Sequence, residues 1–199
     1  MSMKKLCVIA AAICLVSQGA AAQTHNPNSA STPYAGLEDR GIKGLSEADI
    51  DELRRGGGWG LALPAELNGK PGPAHLLELK DEIGLSDEQV AQIMSIFEEM
   101  RREAIAAGER LIEAEAALSD AFAADRLDED ELEELVENAE AVRAELRYIH
   151  LSRHLATTPI LTSHQVQRYQ VLRGYAENPC DSVPEGHDPQ MWKKHNGCT

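Results

Sequence analysis

The sequence predicts an all-α fold, a long antiparallel helical hairpin with short flanking helices. Apolar residues recur at alternating spacings of three and four through two long stretches, 90–125 and 128–158, which is the pattern of helices that pack along one seam. No segment alternates apolar and polar residues with the two-residue period of a strand. Aromatic residues make up only 4% of the chain, although strands favour aromatic side chains.

Each predicted helix has a recognisable start. Ser46 caps a short helix over 46–55, and Pro73 suits the first position of a helix that ends at Gly84. The three later helices begin at residues that have Glu or Gln three positions further on, the capping-box spacing: Ser86, Asp128 and Thr162. The connection near residue 127 is so short that the two long helices must run antiparallel.

The seam of the predicted hairpin consists of two interleaved heptad series on each long helix. The first helix supplies Val90, Phe97, Ala104, Leu111 and Leu118, together with Ile93, Met100, Ala107, Ala114 and Ala121. The second helix supplies Leu132, Ala139 and Leu146, together with Leu135, Val142, Ile149 and Ala156. We expect these residues to be buried between the helices.

The N-terminus has the features of a secretory signal. Lys4 and Lys5 precede an apolar run over 6–16, and three alanines at 20–22 form a small-residue cleavage site. The apolar run is shorter than the roughly 20 residues that span a bilayer. We expect residues 1–22 to be a cleaved signal peptide and the mature chain to be periplasmic, with an uncleaved anchor helix as the alternative.

The net charge limits the classes of partner. The chain holds 33 acidic and 19 basic residues, and cleavage after residue 22 would remove two lysines and lower the net charge from −14 to −16. Nucleic-acid backbones bind to basic surfaces, so we do not expect a nucleic-acid partner. Eight of the acidic residues and no basic residue lie in 128–140, which predicts an acidic hairpin tip.

Composition shifts divide the mature chain into four segments. Residues 23–45 are predicted to be a flexible leader, and 46–72 a short helix followed by an ordered Gly/Pro-rich loop. Residues 73–176 are predicted to form an all-α domain, and 177–199 a Cys-containing tail.

A five-residue motif occurs at the starts of two helices. The segments 85–89 (LSDEQ) and 161–165 (LTSHQ) both fit Leu-[Thr/Ser]-x-x-Gln. With the secretion signal and the helix order, this pair resembles the LTxxQ signature of the Spy/CpxP family of bacterial periplasmic proteins, over about residues 73–176. The resemblance implies a structural role, capping and tying helix starts, for Leu85, Ser86, Gln89, Leu161, Thr162 and Gln165.

The resemblance also implies a function and partners. Members of the family form antiparallel, cradle-shaped homodimers that hold unfolded or misfolded periplasmic proteins without ATP. We therefore expect an ATP-independent chaperone or envelope-stress binding protein. The alternatives are a periplasmic protein that binds or senses zinc, nickel, cobalt or copper, and a structural partner or inhibitor of an envelope sensor.

Two sets of residues are candidates for client contact. Ile96, Ile105 and Ile112 fall outside the helical seam, so they are available to a client, to a second protomer or to packing under the short helices. Arg143 and Arg147 lie toward the base of the predicted hairpin, where an anionic client would bind. The strong acidity of the chain departs from the basic client surfaces of better-known relatives.

Two sets of residues could bind a metal ion. His150 and His154 share one side of a helix and could chelate a divalent ion, although two ordinary surface histidines would have the same spacing. Cys180 and Cys198 are the only cysteines after residue 22; in an oxidising compartment a disulfide is favoured over a metal site or free thiols. We expect no required cofactor.

The sequence contains none of the catalytic motifs that specify an enzyme. It has no nucleophile elbow, phosphate loop or HExxH pair, and the glycine-rich stretch at 56–60 follows a predicted helix rather than a strand. We therefore expect a binding protein and not an enzyme.

Overall fold

A computed structural model of the chain describes residues 33–125 and 127–198. The described residues from Gly36 onward form one compact unit. The predicted signal peptide lies outside the described residues. Within these residues the chain forms helices and no strand, which confirms the all-α class.

The helices are of very unequal length. Two long ones, α5 and α6, dominate, and a 3₁₀ turn at Thr158–Ile160 follows α6. The α-helices are α1 Glu47–Arg54, α2 Leu63–Glu66, α3 Pro73–Glu78, α4 Lys80–Ile83, α5 Asp87–Ala123, α6 Glu129–Thr157, α7 Ser163–Leu172 and α8 Pro189–His195.

The two long helices pack against one another through apolar seams and cross-helix ion pairs. The ion pairs advance along α5 as they recede along α6: Glu103 with Arg153, Arg110 with Glu145, and Glu115 with Arg143. The seam positions Ala104, Ala107, Leu111, Ala139 and Leu146 are buried as predicted, whereas Ala156 is exposed.

The segment before α2 covers one side of the α5–α6 pair. Leu45 and Leu53 are both 1% exposed and join Leu111 and Leu146 in one apolar core. The backbone N–H of Lys43 donates to Ser119 Oγ at 3.1 Å. The end of the predicted flexible leader is therefore folded, because its Ile and Leu side chains have apolar partners on α5 and α6.

Three local expectations differ from the structure. The Gly/Pro-rich loop contains the one-turn helix α2, with Pro64 in its first turn. The predicted helix over 73–83 divides into α3 and α4 at Leu79, whose ψ of 18° is not helical. The tail contains α8, capped by Asp188, whose side chain accepts from the N–H groups of Gln190 and Met191.

Candidate functional site

The two motif copies bind each other through their glutamines. Gln89 Nε2 donates to Gln165 Oε1 at 2.9 Å, and Gln165 Nε2 donates to Gln89 Oε1 at 2.9 Å. The remaining amide hydrogens bind backbone carbonyls, Gln89 that of Ile160 at 2.8 Å and Gln165 that of Gly84 at 3.0 Å. We call this arrangement the amide clasp.

Each glutamine also completes a capping box in its own motif. Gln89 Oε1 accepts from the backbone N–H of Ser86, and Gln165 Oε1 accepts from that of Thr162, both at 3.0 Å. The Ser86 and Thr162 hydroxyls in turn accept from the N–H groups of the glutamines. Leu85 and Leu161 pack against a second apolar core, whose buried members are Leu76, Ile83, Ile93 and Tyr169. The motif residues therefore join the starts of α5 and α7.

A cavity of about 530 Å³ lies between the Gly/Pro-rich segment and helices α5 and α6. Its walls include Trp59, Phe97, Met100 and Pro73, and its polar lining includes Glu66, His75, His150, His154 and Arg173. The sequence gives no sign of this cavity, because its lining comes from five separate parts of the chain.

Glu66 is a buried carboxylate at this cavity, only 6% exposed. The Tyr169 hydroxyl donates to Glu66 Oε1, and Arg173 Nε lies 3.3 Å from the same oxygen. His75 Nδ1 is 3.8 Å from Oε1. The other oxygen, Oε2, is buried without a hydrogen-bond partner. Oε1 of Glu66 therefore has a hydrogen-bond donor and an ion-pair partner, whereas Oε2 accepts no hydrogen bond.

Tyr169 remains a hydrogen-bond donor to Glu66. Burial raises the pKa of Tyr169 far above its usual value, and the hydrogen bond to Glu66 and the charge of that carboxylate raise it further. Tyr169 is 0% exposed, so its hydroxyl cannot turn to solvent. It therefore holds the carboxylate of α2 against α7.

His150 and His154 are buried, at 3% and 7% exposure, and not at the surface. His154 Nδ1–H donates to the Lys70 carbonyl at 2.5 Å. The ring of His154 also packs against Gly72, where a Cβ would lie 2.6 Å from the ring. His154 therefore supports the segment that precedes α3, with contacts that the helical spacing did not reveal.

His150 lies at the cavity with one ring nitrogen unsatisfied. Its Nε2 is buried and has no hydrogen-bond partner. Burial lowers the pKa of His150, the neighbouring His154 lowers it further, and a hydrogen bond to the Gly57 backbone and the charge of Glu52 oppose this shift. The folded environment therefore favours the neutral imidazole of His150 over the protonated form.

We expect the fold to lose stability on mild acidification because of His150. The unfolded chain takes up a proton near the ordinary histidine pKa of about 6.5, whereas the folded chain resists it. Stability is thus retained above this pKa and falls as the pH drops below it, by at most about 1.4 kcal/mol per pH unit for one group. Urea unfolding at about pH 7.5 and about pH 5.5 measures the effect.

The matched variants are His150→Gln and His195→Gln. The first should flatten the difference between the two pH values, and the second, at an exposed position, should not. An unchanged pH dependence in His150→Gln would show that other groups control it.

Metal binding by His150 and His154 stays a prediction. Among the described residues no three His, Cys, Asp or Glu side chains are grouped closely enough to hold a metal ion. Titration with zinc, nickel and copper tests the pair.

Three of the candidate client residues make contacts within the described part of the chain. Ile112 is 7% exposed in the first apolar core, because the segment at 42–61 folds over it; of its three expected roles, this burial corresponds to packing under the short N-terminal segment. Ile105 is half-buried near Gly56. Arg143 is bound to Glu115 and Glu140 and stacks over Trp59 at 4.9 Å.

Two candidates remain accessible to some degree. Ile96 is half-buried on α5, and Arg147 is exposed on α6. Arg147 is therefore the candidate whose charge can be altered without breaking an ion pair present in the described part of the chain.

The tail is held by the predicted cysteine pair. The sulfur atoms of Cys180 and Cys198 lie 2.05 Å apart, the distance of a disulfide bond. Trp192 Nε1–H donates to the Pro179 carbonyl at 2.7 Å, and His164 Nε2 lies 3.2 Å from the Asn196 carbonyl oxygen. These contacts fix α8 beside the start of α7.

Sequence reasoning missed the group around Glu66. The sequence does contain one indication of this group. Glu66 is a single acidic residue within an apolar one-turn segment flanked by Pro and Gly, and a buried carboxylate needs a partner.

Comparison of the chain with protein-family models, with curated protein sequences and with solved structures gave no match. None of the helices among the described residues is both long enough and apolar enough to cross a membrane.

Proposed function

We propose that this protein is an ATP-independent periplasmic chaperone that holds unfolded clients, with the two long helices as an antiparallel hairpin in a cradle-shaped homodimer. The observation that carries the proposal is an apolar stripe on α6 that faces solvent. Tyr148 is 70% exposed and Leu155 is 63% exposed. A large exposed apolar surface on a soluble chain is typical of a site of protein interaction.

The stripe has the spacing of a second helical seam. Its members recur at intervals of three and four along α6. Four of them are exposed, Ala141, Ala144, Tyr148 and Leu155, and Leu151 between them is half-buried. Such a surface accepts apolar segments without requiring a particular sequence. Arg147 beside it and the acidic residues before Ala141 supply polar contacts of both signs.

We expect the protein to suppress aggregation of an unrelated unfolding client at near-stoichiometric amounts, with neither ATP nor metal. The double variant Tyr148→Ser, Leu155→Ser should lose most of this protection, because it removes the two most exposed members of the stripe. Light scattering of the client with and without chelator measures the effect.

Phe122→Ser is the matched control, since Phe122 is 60% exposed on α5 and lies outside the stripe. Arg147→Glu tests the polar contact and should weaken protection of an acidic client. Equal protection by wild type and the double variant would contradict the stripe as the client surface. No protection by wild type would contradict the proposed function.

A further inference from the structure

Two exposed apolar side chains lie on the same side of the α5–α6 pair, near the turn that joins these helices. Glu115 on α5 and Arg143 on α6 form an ion pair, which places these two residues at the same level. Phe122 and Val136 each lie seven residues, or about two helical turns, beyond that pair in the direction of the turn. They are therefore also at one level, and they are 60% and 42% exposed.

Acidic side chains flank this apolar pair. Glu129 and Glu133 lie on the Val136 side of α6, because they precede it by about two turns and one turn respectively. Both are exposed. The nearest ion pairs among the described residues join Arg143 to two other glutamates, and none includes Glu129 or Glu133. We call the following residues the turn patch: Phe122, Glu129, Glu133 and Val136.

The tail carries an exposed surface of the opposite charge. On α8, Met191, Lys194 and His195 share one side of the helix, and Lys193 lies beside them. Met191 is 73% exposed, and both lysines are exposed without an ion pair in the described part of the chain. Trp192 instead points inward, since its indole N–H donates to a carbonyl of the tail at 2.7 Å. We call the following residues the tail patch: Met191, Lys193, Lys194 and His195.

The two patches of one chain lie at opposite ends of α5. His164 Nε2 is 3.2 Å from the Asn196 carbonyl oxygen, so α8 lies beside the start of α7. The amide clasp joins that start to the start of α5, whereas the turn patch is at the other end of this helix. The 37 residues of α5 separate the patches by about 55 Å. The two surfaces can therefore meet only between copies of the chain.

The patches are complementary in both charge and apolar content. Each consists of exposed apolar side chains beside exposed charges, which are negative near the turn and positive on α8. Opposite charges across an interface favour the correct partner and orientation. Every copy of the chain carries both surfaces, so a second copy is the partner that matches each of them.

We propose that the tail patch of one protomer binds the turn patch of a second protomer. Met191 packs against the apolar pair of the turn patch, and the two lysines of α8 lie beside its two glutamates. Two protomers that lie side by side in opposite directions make this contact twice and leave neither patch free, so the assembly closes at two copies. The inference rests on the homodimer of the proposed function and assigns its interface.

Reversing the charge of the tail patch tests the contact. The double variant Lys193→Glu, Lys194→Glu should weaken dimerisation by about tenfold or more, because like charges would then face each other. Sedimentation equilibrium measures the dissociation constant, which should also rise with salt concentration in the wild type. The matched control is Lys70→Glu, Lys80→Glu, which makes the same change of charge at exposed positions outside both patches. Equal dissociation constants of the two double variants would overturn the proposal.

A charge exchange tests whether the two patches bind each other. The turn variant Glu129→Lys, Glu133→Lys should dimerise as poorly as the tail variant Lys193→Glu, Lys194→Glu. An equimolar mixture of the two variants should form a heterodimer, because both of its contacts again join opposite charges. Failure of the mixture to associate more strongly than either variant alone would overturn the pairing of the patches.

The apolar part of the contact has its own test. Met191→Ser should weaken dimerisation by several-fold, since it removes the most exposed apolar side chain of the tail patch. Leu67→Ser is the matched control, because Leu67 is 60% exposed and lies in neither patch. Circular dichroism verifies that each variant is folded. A Met191→Ser protein that dimerises as well as Leu67→Ser would overturn the role of α8.

The association data and the client data separate this inference from the proposed function. The apolar stripe on α6 is present on each protomer, so a variant that fails to dimerise should still protect clients. A wild-type protein that protects clients as a monomer would overturn the interface and leave the chaperone activity standing. A dimer that depends on both patches but gives no protection would leave the interface standing and overturn the activity.

Discussion

Replacing Gly108 by alanine is expected to destabilise the protein by about 2–3 kcal/mol, although the same change in an exposed helix interior normally stabilises by about 1 kcal/mol. Gly108 lies in the middle of α5, directly under α1. A Cβ at this position would lie 2.6 Å from the carbonyl oxygen of Leu53 and 3.1 Å from its carbonyl carbon. These are backbone atoms near the end of α1, so they cannot rotate away as a side chain could.

The clash would lift α1 from the core. Leu53 and Leu45 are both 1% exposed in that core, and moving α1 would separate them from α5. Urea unfolding monitored by circular dichroism measures the loss. Ala106→Gly is the matched control on an exposed part of the same helix, where it should cost about 1 kcal/mol by helix propensity. A Gly108→Ala protein as stable as wild type would show that α1 does not pack on α5 at this distance.

Gln165→Ala is expected to cost about 3 kcal/mol, because it breaks the amide clasp and leaves several groups without partners. The Gly84 carbonyl would lose its donor, the Thr162 N–H would lose its acceptor, and Gln89 would lose both contacts with the partner amide. Gln165 is 9% exposed, so water replaces these bonds poorly. Chemical denaturation of the single variant measures this loss.

A double-mutant cycle with Gln89→Ala isolates the clasp itself. The two substitutions should couple by about 1–2 kcal/mol, as expected for side chains that bind each other directly. Gln167→Ala, at an exposed position of α7, should change stability by less than about 0.5 kcal/mol. Strict additivity of Gln89→Ala and Gln165→Ala would mean that the reciprocal bonds contribute nothing beyond the separate caps.

The helix starts could be predicted from sequence because their causes are local. Ser86 and Thr162 cap helices through atoms three residues away, and this spacing is visible in the sequence. The buried seam was also predictable, since a heptad pattern specifies which side of a helix meets its neighbour. Leu111 and Leu146, both buried, illustrate this.

The burial of Ile112 could not be predicted in the same way. Its partners come from a segment some sixty residues earlier, and the fold of that segment depends on scattered apolar residues between glycines. The Glu66 group has the same origin. Its carboxylate meets Tyr169 across 103 residues of sequence, and no spacing rule relates a one-turn helix in a loop to a position on α7. Long-range contacts of this kind depend on tertiary packing.

Because of the amide clasp, we expect the starts of α5 and α7 to unfold together when the structure opens locally. Neither glutamine can leave without freeing the amide of the other and the carbonyls of Gly84 and Ile160. In hydrogen-exchange experiments the first turns of these two helices should therefore exchange as one cooperative unit. Helix ends usually fray independently of each other. The first turns of α5 and α7 are instead joined, so that they open together or stay closed together.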